Sequence, residues 1–229
     1  MKNLGKLMEK YDKFVIFDTE TTGLDFMRDE IIEFSAVVLQ MRNGYAWVEQ
    51  EYDNLVTLSP GNTVPPMIQR LTGISTEDIA QRGVAKEQVC RDIAEMFAGN
   101  TLLLAYNAHF DLSFLYYFLL RSGDPMILKG KDKLDLLTVY KDRRDYPHKL
   151  CNAIEAYGLS GQVVNSHRAI DDVLATVAVM EAMAAEKDDL LRYINLFGYN
   201  RKSGIEGKAI GSVTYKAQPY QRGKPRYEL

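Results

Sequence analysis

The chain has 229 residues, 46% of them hydrophobic and 26% charged, which is enough apolar material for one sizeable domain plus a short appendage without disulfides or a structural metal. A formal net charge of −3 excludes a protein that holds a polyanion by bulk charge, so any such contact must come from local patches. No apolar run reaches the length of a membrane span, and residues 1–10 alternate charged and apolar side chains where a secretory leader would be apolar, so a cytoplasmic protein is expected.

In chain order, residues 14–17 read as a strand, 31–40 as a second strand apolar on both faces, and 47–58 as a third with weaker alternation. Gly23 and the Asn43-Gly44 pair supply turns, so an antiparallel meander is predicted rather than a βαβ unit. Pro65-Pro66 open a short helical stretch that stops at Thr72-Gly73. Val89, Ile93, Met96 and Phe97 recur at helical spacing within a helix over 85–98, ended by Gly99-Asn100. A compact apolar run at 101–106 predicts a buried strand, and 111–121 a very apolar helix stopped by Ser122-Gly123-Asp124-Pro125. A short strand at 133–137 follows, then helices over 150–157, 167–186 and 189–197. Strands first, then strands alternating with helices, indicate an α/β domain whose mixed sheet is covered by helices.

Cys90 and Cys151 fall in helix-like segments with no CxxC partner or adjacent His, so both are expected as buried, inert thiols. Beyond residue 200, Arg201, Lys202, Lys208, Lys216, Arg222, Lys224 and Arg226 face only Glu206 and Glu228. That asymmetry suits contact with phosphates, although a solvated basic tail is the plainer alternative. The expected division is a domain over 1–190, then a C-terminal helix and weakly packed basic extension over 191–229.

Chemistry first shows at Phe17-Asp18-Thr19-Glu20, where an apolar strand ends in two carboxylates one residue apart. Residues i and i+2 of a strand project to one side, and two like charges so placed call for a cation between them. A hard divalent ion prefers such oxygens, while a polar turn would use the same residue types. Asp111 lies where the strand 101–106 passes into a helix, a place that also suits simple capping. Ser166-His167-Arg168-Ala169-Ile170-Asp171-Asp172 opens the long C-terminal helix, with Asn165 or Ser166 as N-cap and His167 in the loose first turn.

Taken together, Asp18-Thr19-Glu20-Thr21-Thr22-Gly23-Leu24, Asn107 through Asp111, and His167-x-Ala169-x-x-Asp172 closely resemble the three exonuclease motifs of the DEDD superfamily, His subclass. That family includes proofreading exonucleases of bacterial replicative polymerases. Leu71-Thr72-Gly73-Ile74 also resembles it, and the likeness covers about residues 13–186. In the Tyr subclass a tyrosine stands four residues before the last Asp, where this chain has Arg168. Asp171 is then a surface charge or a group supporting Asp172.

The resemblance implies a ribonuclease H-like fold with a mixed five-stranded sheet, antiparallel meander first, flanked by helices. It implies a 3′→5′ exonuclease that removes nucleoside 5′-monophosphates from DNA 3′ ends. Asp18, Glu20, Asp111 and Asp172 would hold two divalent cations, Mg2+ or Mn2+, with His167 as the base. Thr21, Leu24, Asn107, His109 and Phe110 would meet the terminal nucleotide; Leu24 and Phe110 would equally suit a core, and Thr21 a turn. An RNA-trimming enzyme like oligoribonuclease or ribonuclease T shares this chemistry. A non-catalytic nucleic-acid-binding or polymerase-tethering module is the reading from a different class, and the complete ligand set argues against it. The expected partner is a single-stranded or frayed DNA 3′ end, with polymerase or clamp association open. Ile194-Asn195-Leu196-Phe197 faintly resembles a clamp-binding peptide without its leading Gln, and is expected to pack as a helix end.

Overall fold

The computed structural model describes residues 4–43, 45–197, 216–217 and 219–229. A short helix α1 (Leu7–Lys10) leads into β1 (Lys13–Thr21), β2 (Ile31–Arg42) and β3 (Tyr45–Leu55). Three helices follow: α2 (Pro66–Thr72), α3 (Thr76–Arg82) and α4 (Lys86–Phe97). Then come β4 (Thr101–Ala105), α5 (Ala108–Ser122), β5 (Asp132–Asp135), α6 (Leu136–Arg143), α7 (Leu150–Ala156) and α8 (Ala169–Glu186). Two-residue strands β6 (Leu196–Phe197) and β7 (Lys216–Ala217) pair in parallel outside the main sheet.

The main sheet has five strands in the order β3-β2-β1-β4-β5. Its first three form the predicted antiparallel meander, and β4 and β5 run parallel to β1. Along β1, Val15 and Phe17 face a layer made by α4 and α5, packing with Val89, Ile93, Leu112 and Leu115. Phe14 and Ile16 face the opposite layer, where Val173, Val177 and Met180 of α8 join Val139 of α6 and Ile154 of α7. Both faces of the central strands are therefore covered, which is why they read as apolar throughout rather than alternating.

Several boundaries differ from expectation for identifiable reasons. The strand expected over 133–137 stops at Asp135, whose Oδ1 accepts the Leu137 N–H at 3.1 Å and whose Oδ2 accepts the Thr138 hydroxyl at 2.9 Å. That cap starts α6, a helix the sequence reading missed. Also missed was α3, although Ser75 and Asp78 form a reciprocal capping box before it. The last long helix starts at Ala169 with Arg168 as N-cap, not at His167, because His167 takes a left-handed φ of 58°.

The helix expected over 189–197 is instead a 3-10 turn, Leu190–Tyr193, followed by β6. Asn195 breaks it: its N–H donates to the Lys133 carbonyl at 2.8 Å, and its side chain accepts the Lys133 N–H at 2.9 Å. Asn195 thereby covers the outer edge of β5, and Phe197 is buried, so this segment is consumed by the fold rather than presented as a free peptide.

Cys90 is buried as expected, but Cys151 is exposed on the outer side of α7. The C-terminus departs from the weakly packed extension expected. Arg226 is buried with its N–H on the Asp142 carboxylate, and the Tyr227 hydroxyl donates to Asp189 at 2.9 Å. Gly44 of the turn between β2 and β3, and Arg201, Lys202, Lys208 and Glu206 of the basic stretch, lie outside the described residues.

Candidate active site

The parallel pairing of β1 with β4 spans only Lys13–Ile16 against Thr101–Leu104, so the end of β1 projects past its neighbour. Asp18 and Glu20 continue the register of Phe14 and Ile16 and face the α8 layer. Just there the ladder with β2 shifts by one residue, since Glu20 pairs with Glu33 but Thr21 with Ile31. A bulge of this kind increases twist and re-aims side chains at a strand end. Asp172, in the first turn of α8, approaches from above. Asp18, Glu20 and Asp172 each offer one carboxylate oxygen, all within 4.8 Å of one another.

Asp111 comes from the other layer. Thr19 has the opposite register to Asp18, and both its N–H (3.0 Å) and its hydroxyl (2.9 Å) donate to Asp111 Oδ1. This tether holds α5 to the strand end and leaves Asp111 beside the tight trio rather than within it. Its charge still ranks first among those acting on Asp18. The start of α5 is anchored in turn by Asp135, whose Oδ1 accepts the N–H groups of Asn107 (3.0 Å) and Ala108 (3.2 Å).

Four acids so close raise one another's proton affinity. Burial, and then the charges of Asp111, Glu20 and Asp172, push the Asp18 carboxyl well above the ordinary carboxylate range. Glu20 is pushed up to about 8, by burial first and then by Asp172. Asp111 rises to about 7 through burial, against the opposing Thr19 hydrogen bonds. Burial also raises Asp172, against a 2.6 Å hydrogen bond from Asn165 and the favourable charge of His167. The donor set is therefore all oxygen, crowded and short of positive charge, which is the chemistry that suits a divalent cation.

His167 is exposed, in the loop before α8, and close enough for its charge to act on Asp172. Asp171 points its carboxylate to the Ser166 hydroxyl rather than to the cluster. Among the residues expected to meet a nucleotide, Leu24 is 84% exposed and so serves no core. Thr21, the last residue of β1, is buried, its hydroxyl donating to the Gly23 carbonyl of the following turn at 2.6 Å. Asn107 is exposed with φ 71°, His109 is half-buried with its pKa lowered by burial, and Phe110 packs on Phe114 at 4.9 Å.

The loop carrying Leu24 is rigidly held. Asp29 accepts the Asp25 N–H at 2.8 Å, Phe26 stacks on Tyr117 at 5.3 Å, and Arg121 donates to the Phe26 and Met27 carbonyls. A Cβ at Gly23 would lie 2.4 Å from the Asp29 carboxylate, so a side chain there would push Asp29 off the Asp25 N–H and the Thr22 hydroxyl. The residues that sequence reasoning missed are the supports: Thr19, Asp135, Asn165, Glu33 and Arg168. A signal existed for two of them, since Glu33 interrupts the apolar start of β2 and Asp135 stands among Leu134, Leu136 and Leu137.

Residues 15–180 match the family model described as Exonuclease, the ribonuclease T family, and the chain belongs to that family. A DNA polymerase III PolC-type protein of Caldanaerobacter subterraneus subsp. tengcongensis is 30% identical over 222 residues, covering 95% of this chain. The DNA polymerase III subunit epsilon of Treponema pallidum is 31% identical over 176 residues, covering 75% of this chain and 76% of its own length. The chain spans only 15% of the PolC-type relative. Among solved structures, E. coli exonuclease I in complex with a dA16 oligonucleotide aligns at a TM-score of 0.68 and 21% identity. That alignment covers 80% of this chain and 42% of the other, and the likeness is one of fold. The ribonuclease H-like architecture expected from the motifs is the one observed.

Proposed function

We propose that the protein is a metal-dependent 3′→5′ exonuclease that releases nucleoside 5′-monophosphates from single-stranded or frayed DNA 3′ ends. The observation that carries this reading is the convergence of Asp18, Glu20 and Asp172 within 4.8 Å, with Asp111 tethered alongside, from three elements far apart in the chain. Asp18, Glu20, Asp111 and Asp172 would hold Mg2+ or Mn2+, which when bound supplies charge neutralisation at phosphorus and acidifies the attacking water.

The chain's own residues supply the rest. His167, exposed beside Asp172, accepts the proton of the attacking water, the general-base role for which an imidazole is suited. Leu24 presents an apolar surface to the terminal base, while the Thr21–Leu24 backbone and Asn107 face its sugar and phosphate. His109 and Phe110, the latter half-buried on Phe114, would complete the contact with that nucleotide. The relatives' names, DNA polymerase III PolC-type and DNA polymerase III subunit epsilon, support DNA as the strand trimmed, in a proofreading or repair role. They also favour association with a polymerase.

The deciding experiment uses matched DNA and RNA oligonucleotides labelled at the 3′ or 5′ end, in Mg2+ and with a chelator. The expected result is immediate release of labelled mononucleotide from 3′-labelled DNA, a shortening ladder from 5′-labelled DNA, and neither with chelator. Faster trimming of RNA would reassign the enzyme to RNA 3′ ends. No cleavage of any strand, in Mn2+ as well as Mg2+, would leave a binding module and defeat the proposal.

A further inference from the structure

Glu33 lies within β2, fully buried, and pairs directly across the ladder with Glu20. Its charge acts on Glu20 and on Asp18, yet nothing in the chemistry above uses it. Both of its oxygens are taken. Oε1 accepts from Arg168 Nε at 2.9 Å and also from Arg168 Nη2, while Oε2 accepts the Ala169 N–H at 2.8 Å and lies 3.3 Å from Nε. No lone pair of short reach is left for a cation, so Glu33 stays out of the ligand set despite its place beside it.

Arg168 and Ala169 are the N-cap and the first residue of α8, and the N-cap side chain makes no bond to the helix backbone. Glu33 therefore does the capping from another strand: it fixes the first N–H of α8 and, through the guanidinium fork, the residue before it. His167 is the neighbour of Arg168, and Asp172 stands one turn into the same helix. The attraction between the two charges adds little net stability, because desolvating Glu33 offsets it; the stabilising part of the arrangement is the bond to the Ala169 N–H. What a bidentate pair does supply is a defined orientation.

We propose that Glu33 and Arg168 form a positioning clamp that sets His167 and Asp172 against the carboxylates of β1, and that keeps Glu33 itself from competing for the cation. The inference rests on the nuclease reading for its purpose, though not for its geometry. Both are positioning residues: neither touches the reacting atoms.

The test compares wild type with Arg168→Lys, Arg168→Met, Glu33→Gln and the apolar double variant Glu33→Leu with Arg168→Met. Each is followed by urea unfolding, by calorimetric Mg2+ titration without nucleic acid, and by kcat and KM on 3′-labelled single-stranded DNA. Supports of metal ligands typically account for about 10–100-fold in metal affinity or activity. We therefore expect kcat to fall by about 10–100-fold and Mg2+ to bind about tenfold more weakly, with KM changed less than about threefold. The double variant leaves the buried Ala169 N–H without its acceptor, so it is expected to unfold at a lower urea midpoint than wild type, still in one cooperative step, and to show both losses. Wild-type kcat and Mg2+ affinity in a stably folded double variant would overturn the clamp. Should that variant fail to fold, Arg168→Lys decides, since it keeps the charge and loses the fork: wild-type behaviour there overturns the proposal equally. If wild type itself cleaves nothing, the nuclease reading fails, while the Mg2+ titrations still decide the clamp.

Discussion

Asp18 is surrounded by acids from four other positions, Glu20, Asp111, Asp172 and Glu33, and every one of them opposes its ionisation. Replacing it with alanine removes both a ligand and a source of repulsion. Asp18→Ala should lower cleavage by about 10³-fold or more, as expected when one member of a unit is lost, while the metal-free protein unfolds at the same or a higher temperature. Calorimetry and the labelled-DNA assay together check this; a wild-type rate in Mg2+ would remove Asp18 from the site. The same repulsion sets a pH dependence. Glu20 has an ordinary value of 4.5 and a folded value of about 8. Between these the folded protein keeps a proton that the unfolded chain has released, so stability falls as pH rises through that window. The metal-free melting temperature should therefore drop from pH 5 to pH 8, and Mg2+ should raise it more at pH 8. Saturation at 100 times its Kd would contribute about 2.7 kcal/mol. Thermal melts with and without chelator measure both, and an equal Mg2+ effect at the two pH values would contradict the assignment. Leu24 offers a cleaner test of substrate contact, because 84% of it is exposed and its removal leaves no cavity. Leu24→Ala should raise KM for single-stranded DNA by about 3–10-fold, the worth of a small apolar contact, without moving the melting temperature.

Between elements, the site depends on junctions rather than on whole helices or strands. Asp135 receives the N–H groups of Asn107 and Ala108 at the start of α5 and of Leu137 in the first turn of α6, so one side chain fixes the angle at which Asp111 meets β1. Asp135→Ala should cost about 2–4 kcal/mol in urea unfolding, because two helix starts lose their acceptor in a buried place. It should also lower kcat, and Asp135→Asn should lose less of both. The strands and long helices were legible in sequence because apolar residues repeat with their periods: 14–17, 31–40, the run 101–106 up to Ala105, and the stripe Val89, Ile93, Phe97 lie in the expected element. The junctions were not. The start of α8 was placed at His167 because Asn165 and Ser166 look like local caps, but their side chains go to Asp172 and Asp171. The true cap is Glu33, more than a hundred residues earlier, which local pattern cannot reveal.

For the molecule as a whole, the meander delivers β1 to the sheet centre with helices on both faces, so the end of this one strand is reached by α5 from one layer and α8 from the other. The C-terminus closes the α6 side of the domain through Arg226 and Tyr227. Removing residues 225–229 should therefore lower the melting temperature, by about 2–4 °C for each kcal/mol lost in a chain of this size, with kcat preserved since the strap is not at the carboxylates. A melt and an assay on the shortened chain check both halves. Sequence alone determined the class of fold, through hydrophobic period and turn spacing, and singled out the candidate acids, through a likeness to three motifs whose order and residue types are chemically restrictive. Only the tertiary structure decided which acids share a point, which one stands aside on Thr19, and which buried carboxylate serves a helix instead of a cation. Those distinctions turn on whether a neighbour satisfies each oxygen, and such neighbours come from elements that adjoin only after folding.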